Sequence, residues 1–161
     1  MAGTLPDEAH FRSVLGALPT GVVIVTGGTQ QQPRGLVVGS FMSVSLDPPL
    51  VAVCPAKTSS SWPALQESGV FCANVLHDSQ SELARGFARS GADKFAGVSW
   101  RPAPATGCPL LEGVAAWIDC RIHETIEAGD HWLVLAEVLE LAVETAGGAL
   151  VFHAGALKSL P

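Results

Sequence analysis

The sequence predicts a mainly β fold, an antiparallel barrel closed or nearly closed, with a few α-helices packed outside it. Two observations carry this and one physical argument completes it. Short β-branched and apolar runs recur along the chain, each bounded by Gly, Pro or polar turn residues. Helical patterns are few and do not alternate regularly with the strands, which disfavours a doubly wound parallel sheet. Closure then removes the unpaired edges that an open antiparallel sheet exposes.

The elements follow in chain order. Asp7 reads as the N-cap of a first helix, with Phe11, Val14, Leu15 and Leu18 at helical spacing. Pro19-Thr20 ends it. GVVIVTGG is a strand closed by glycines, and Gln30 to Gly35 is a polar turn. LVVGSFMSVSL reads as one strand whose second half alternates, Phe41, Ser43 and Ser45 against Met42, Val44 and Leu46. Asp47-Pro48-Pro49 is a turn, and LVAVCP is the next strand. A short helix is expected near WPALQESG and a strand at VFCANVL. SQSELARGFARS is an amphipathic helix with Leu83, Ala84 and Phe87 inward. The Pro-rich stretch from Gly97 to Pro109 is less regular. Three β runs close the chain, from Glu112, from His131 and from Ala149, with a hairpin turn at Ala128-Gly129-Asp130.

The 161 residues are the length of one domain, since domains hold about 100–200 residues. Residues 1–161 are therefore read as one, with no linker, repeat or low-complexity tail. Apolar residues make up 48% and charged residues 15%. So lean a surface is explained by an oligomer interface or by a large enclosed core. The net charge of −6 and the lack of a basic cluster exclude a nucleic-acid footprint. Cys54, Cys72, Cys108 and Cys120 sit in apolar runs with no C-x-x-C or zinc spacing. They read as reduced core thiols of a cytoplasmic protein. MAGTLPDEAH lacks the basic and apolar regions of a signal peptide, and no apolar run reaches a membrane span of about 20 residues.

Three stretches could carry chemistry. Lys57-Thr58-Ser59-Ser60-Ser61 follows a strand and precedes a helix. Its hydroxyls and cation suit a phosphate, and they equally suit a solvated loop that caps a helix. In Val37 to Ser45, Gly39 leaves room for a flat ring and Ser40 offers a hydrogen bond to a heteroatom. An ordinary half-buried strand reads the same way. In Gly129-Asp130-His131 the imidazole beside a turn could serve a pocket or simply the structure. A metal site from His123, Glu124, Asp130 and His131 has no established spacing, so no metal is expected. The chain has neither a P-loop nor a G-x-G-x-x-G fingerprint, and no G-x-S-x-G elbow.

Six motifs in order add a resemblance. They are Leu18-Pro19-Thr20-Gly21-Val22, Ser40 to Leu50, Phe71 to Leu76, Asp93-Lys94-Phe95-Ala96-Gly97, Gly129-Asp130-His131 and Phe152-His153-Ala154-Gly155. From Phe11 to Leu160 the chain resembles the flavin reductase-like, FMN-binding split-barrel family, which includes the reductase components of two-component flavin monooxygenases. The resemblance implies a six-stranded antiparallel Greek-key split barrel with flanking helices, and a homodimer with flavin near its interface. It implies FMN or FAD as flavin and NADH or NADPH as hydride donor. Val38, Gly39 and Ser40 would lie against the isoalloxazine, and Pro55 with Lys57, Ser59, Ser60 and Ser61 would hold the ribityl phosphate. Lys94 and Phe95 would close over the flavin. Thr20, Ser45 and Asn74, in the matching motifs, join the cofactor-binding set. His131, the one residue given a catalytic role, would sit on the nicotinamide side. Reduced flavin would diffuse to a partner monooxygenase.

Two departures stand out. Relatives often carry polar residues where Val37 and Val38 stand, and Arg with an aromatic where Ala154 and Ala156 stand. The rival expectations are an enzyme that keeps FMN bound and acts on an organic substrate, and a non-catalytic flavin or haem carrier.

Overall fold

The computed structural model describes residues 7–160; the leader-peptide reading falls mostly on residues outside this range. Among the described residues there are three helices and twelve strands. Helix α1 (Glu8–Leu15) is capped by Asp7, whose carboxylate accepts from His10 N at 2.8 Å. The strands are β1 (Thr20–Gly21), β2 (Val23–Gly28), β3 (Pro33–Val38), β4 (Met42–Leu46) and β5 (Pro49–Val53). Helix α2 (Trp62–Ser68), strand β6 (Val70–Val75) and helix α3 (Ser81–Ala88) follow. Then come β7 (Trp100–Pro102), β8 (Pro109–Leu111), β9 (Ala116–Ala128), β10 (His131–Val143), β11 (Ala149–His153) and β12 (Ala156–Leu160).

Seven strands form one antiparallel sheet in the order β3-β2-β6-β9-β10-β5-β4. Six inter-strand spacings would set its edges about 29 Å apart if it were flat. Yet β3 and β4, the two edges, are joined only through Gly39, Ser40 and Phe41. Four Cα steps reach about 14 Å at most. The sheet must therefore curl until the end of β3 approaches the start of β4, and Ser40 marks the point of approach. Its Oγ accepts from Cys54 N at 2.9 Å and donates to Cys54 O at 3.3 Å, tying the end of β3 to the end of β5.

Period-two alternation gives β2 two buried faces. Val23 and Val25 point inside the barrel to Trp62, Leu65, Phe71, Val53 and Val134. Ile24 points outward to a second core with Phe87, Leu110, Leu111 and Val114, roofed by α3 and the β7–β8 ribbon. A three-stranded sheet, β1-β11-β12, is laced to the barrel by Val22 N to Leu150 O and Leu150 N to Leu76 O.

Two runs read as single strands are broken. LVVGSFMSVSL turns at Gly39–Phe41, so six expected barrel strands become seven. ALVFHAGAL folds back as the β11–β12 hairpin through Ala154 (φ 51°) and Gly155 (φ 77°). The hairpin at Ala128–Asp130 forms where the turn residues place it, with His131 opposite Ala128. No described helix is long and apolar enough to cross a membrane.

Candidate functional site

A cleft of about 1090 Å³ opens where the barrel closes. One wall is the end of β3 and the crossing that follows, Leu36 to Ser40. Phe87 and Ala88 of α3 stand beside it, and Phe11 and Leu15 of α1 reach over it. Polar groups collect elsewhere on its lining: Thr58, Ser59 and Ser60, the Lys94 ammonium and His131. An apolar wall facing a few convergent hydroxyls and one cation is the lining of a site for a flat ring that carries an anionic tail.

Each polar group is held by identifiable neighbours. Lys94 donates to Gly35 O at 3.1 Å, and its partial burial pulls the ammonium below the ordinary lysine range. Ser59 Oγ accepts from Trp62 N at 3.3 Å and so caps the entry to α2. The loop is fastened to the β9–β10 hairpin. Lys57 N donates to Asp130 O and Trp132 N donates to Pro55 O, both at 2.9 Å. Ala56 bridges His131 in antiparallel fashion. The Lys57 ammonium pairs with the Glu127 carboxylate and lies 5.0 Å from the centroid of the Trp132 ring. This pairing, through the hydrogen bond and then the charge, holds Glu127 below the usual carboxylate range. His131 Nδ1 and Asp130 Oδ1 are 2.7 Å apart, and this contact likewise keeps Asp130 acidic.

The structure brings Val38, Gly39, Ser40, Ser59, Ser60, Lys94 and His131 to one cleft. It sets the other sequence candidates around or away from it. Thr20 stands behind the β3 wall, in a cavity of about 570 Å³ that shares Val37, Val38 and Gly39 with the cleft. A Cβ at Gly39 would lie 2.7 Å from Thr20 Oγ1, so the close approach this glycine permits is to Thr20. Phe95 stacks edge-on against Phe87, with centroids 5.1 Å apart, and so backs the cleft wall. Pro55 contributes its carbonyl, and Lys57 spends its charge on Glu127. Ser61 is 4% exposed and faces a smaller polar pocket. Ser45 lies on β4 opposite Leu50. Asn74 is fully buried: Nδ2 donates to Ile24 O at 3.1 Å, and Oδ1 accepts from Leu111 N at 2.8 Å.

Sequence reasoning passed over Phe11, Leu15 and Phe87 as cleft residues, because helical spacing shows only that a face is apolar. It also passed over Cys54, which enters the cleft beside Ser40. Cys72, Cys108 and Cys120 are buried, and burial pushes all three thiols up, which makes them inert core groups. Among the described residues no three His, Cys, Asp or Glu side chains gather as a metal site.

The curled antiparallel sheet and the cleft at its seam define a β-barrel protein with a site open to a small ligand. The comparison with known families makes this particular: the flavin reductase like domain matches residues 15–161, and the chain belongs to that family. It is 48% identical over 150 residues to a flavin reductase of Pseudomonas putida, covering 92% of this chain and 88% of that protein. It is 42% identical over 149 residues to the reductase subunit HsaB of a flavin-dependent monooxygenase from Rhodococcus jostii (strain RHA1), covering 92% and 76%. Among solved structures it is similar to the NADH:FAD oxidoreductase SgcE6 of Streptomyces globisporus C-1027. There the TM-score is 0.90 at 36% identity, over 100% of this chain and 98% of that one. That oxidoreductase has also been solved in complex with NAD and FAD fragments.

Proposed function

We propose that this chain is an NAD(P)H:flavin oxidoreductase that works as a cytoplasmic homodimer and hands reduced flavin to a partner monooxygenase. The observation that carries the reading is the cleft itself, an apolar strand wall with hydroxyls, Lys94 and His131 on one continuous lining. These residues fit a flavin nucleotide. Leu36, Val38 and Phe87 offer apolar surface to a tricyclic ring, and Thr58, Ser60 and Lys94 offer donors to a phosphate. The nicotinamide and the flavin supply the hydride chemistry when bound, and the protein supplies position and electrostatics.

The remaining roles belong to the chain. The strand wall and Phe87 exclude water from the ring face. Ser40, engaged with both backbone groups of Cys54, keeps the crossing from β3 to β4 rigid beneath the ring. His131, oriented by Asp130, positions the nicotinamide. Relatives named as monooxygenase reductase subunits support the hand-over of reduced flavin. Four free cysteines suit a reducing compartment.

The test is nicotinamide oxidation followed by absorbance, with NADH or NADPH and added FMN or FAD. Oxidation that depends on added flavin is expected. His131→Ala should raise the KM for the nicotinamide about tenfold, leaving the flavin KM unchanged. A protein that binds flavin yet oxidises neither nicotinamide overturns the reading. One that purifies with flavin retained, and is not stimulated by more, is a flavoenzyme acting on another substrate.

A further inference from the structure

The cavity of about 570 Å³ behind the β3 wall has no part in the reading above. Its volume falls in the range of about 300–1,000 Å³ typical of small-ligand sites. Most of its lining is apolar. Val22 and Val37 line it from the barrel side, and Phe152 and Leu157 from the β11–β12 hairpin. Ala84, Ala88 and Ala156 present only methyl groups, which leaves room for a ring.

Two polar side chains interrupt this lining. Thr20 Oγ1 stands over Gly39, where a Cβ would come within 2.7 Å of it, and among the described residues it has no hydrogen-bond partner. Arg85 is the one charged group on the lining, and no described carboxylate lines the cavity. Its guanidinium pairs with Glu82 through one nitrogen, at the surface of α3. Such an exposed pair is weak, and the other N–H groups of the fork are left for a second carboxylate. An apolar space with a guanidinium and an unengaged hydroxyl is complementary to a planar organic anion. It does not suit a nicotinamide ring, which carries no negative charge. Nor does it suit a flavin phosphate, since the hydroxyl loop and Lys94 line the cleft and not this cavity.

We infer that this cavity binds a small aromatic carboxylate, with Arg85 holding the anion, and that it does so beside the flavin rather than in its place. The inference goes beyond the flavin-reductase reading. The cavity and the cleft have only Val37, Val38, Gly39 and Ala88 in common.

The experiment is calorimetric titration of the purified protein with 4-hydroxybenzoate, and with 4-hydroxybenzamide as its neutral counterpart. It is repeated for Arg85→Gln, for Ala156→Trp, and for wild-type protein saturated with FMN. Both substituted positions are exposed, so the fold should survive, and the acid–amide comparison needs no variant. The acid should bind wild-type protein about tenfold more tightly than the amide, as one charge-assisted contact supplies. Arg85→Gln should bring the acid to the amide value. Ala156→Trp, which fills the cavity with an indole, should abolish binding of both. Saturating FMN should change the affinity for the acid less than about fivefold, below the range of strong coupling between sites. Equal affinities for acid and amide overturn the inference, as does an Arg85→Gln variant that binds like the wild type. Displacement of the acid by FMN or NADH also overturns it, and makes the cavity an extension of the flavin cleft. An Ala156→Trp protein that sediments as a monomer where the wild type is a dimer overturns it too, because a second copy then fills the cavity. In each case flavin-dependent nicotinamide oxidation, measured separately, still decides the reductase reading.

Discussion

Two polar residues of similar promise in the sequence, one half-buried and one fully buried, have opposite roles in the structure. Lys94 faces the cleft with a partly desolvated ammonium. Lys94→Met should raise the KM for flavin nucleotides about tenfold and leave riboflavin, which has no phosphate, unaffected. The pH dependence has a definite sign. Burial lowers the folded-state pKa, so the ammonium is lost as pH rises earlier than for an ordinary lysine. The kcat/KM for flavin, which reports the free enzyme, should fall in that alkaline window, and Lys94→Arg should abolish the fall. Stability moves the other way there, because the unfolded chain binds the proton that the folded one has released. Asn74, by contrast, joins Ile24, Thr26, Cys72 and Leu111 inside the fold. Asn74→Ala removes these buried bonds and should cost about 3 kcal/mol in denaturant unfolding, with the KM for flavin unchanged. A flavin KM that rises tenfold in a folded Asn74→Ala protein would contradict this placement.

The loop from Pro55 to Ser60 and the β9–β10 hairpin behave as one element. Backbone bonds, the Lys57–Glu127 pair and the Trp132 ring hold them together. The hydroxyl loop and His131, proposed above to face the phosphate and the nicotinamide, are thereby kept in register. Glu127 is exposed, so Glu127→Gln should change KM values by less than about fivefold, with the effect fading in salt. Lys57→Ala also removes the contact with Trp132 and should raise the flavin and nicotinamide KM values together, whereas a loss confined to flavin would mean that Lys57 grips the phosphate directly. This pairing was illegible in the sequence, where Lys57 and Glu127 stand 70 residues apart. What local pattern determines was legible: the Asp7 cap, the amphipathic α3 and the hairpin at Gly129. The crossing at Gly39–Phe41 was not, because an alternating run looks the same whether it continues one strand or passes between the edges of a barrel. The site was legible in part. Its hydroxyl loop, Lys94 and His131 have recognisable motifs, but the apolar side chains that complete the cleft arrive from helices whose outward pattern says nothing of what they face.

At the scale of the molecule, the proposed homodimer is supported by a large surface that exposes apolar side chains. Its accessible area is 9142 Å², against about 7,600 Å² expected for a monomer of this mass. The excess, about 1,500 Å², exceeds the roughly 800 Å² that each partner gives to a standard interface. The apolar exposure is concentrated. Helix α1 buries none of its residues, and its Phe11, Val14 and Leu15, with Leu18 just beyond it, are more than half exposed. Strand β4, an edge of the barrel sheet, shows Met42 at 59% and Leu46 at 91%. An apolar edge strand left bare invites aggregation, and a second copy covering it removes the hazard. Because α1 also overhangs the cleft through Phe11 and Leu15, a partner resting on that helix would fix one rim of the site. Sedimentation equilibrium should give twice the chain mass at micromolar concentration. The Met42→Glu/Leu46→Glu double variant should sediment as a monomer and bind flavin more weakly. A wild-type protein that stays monomeric at every concentration refutes the dimer. A double variant that remains dimeric and active moves the interface away from β4.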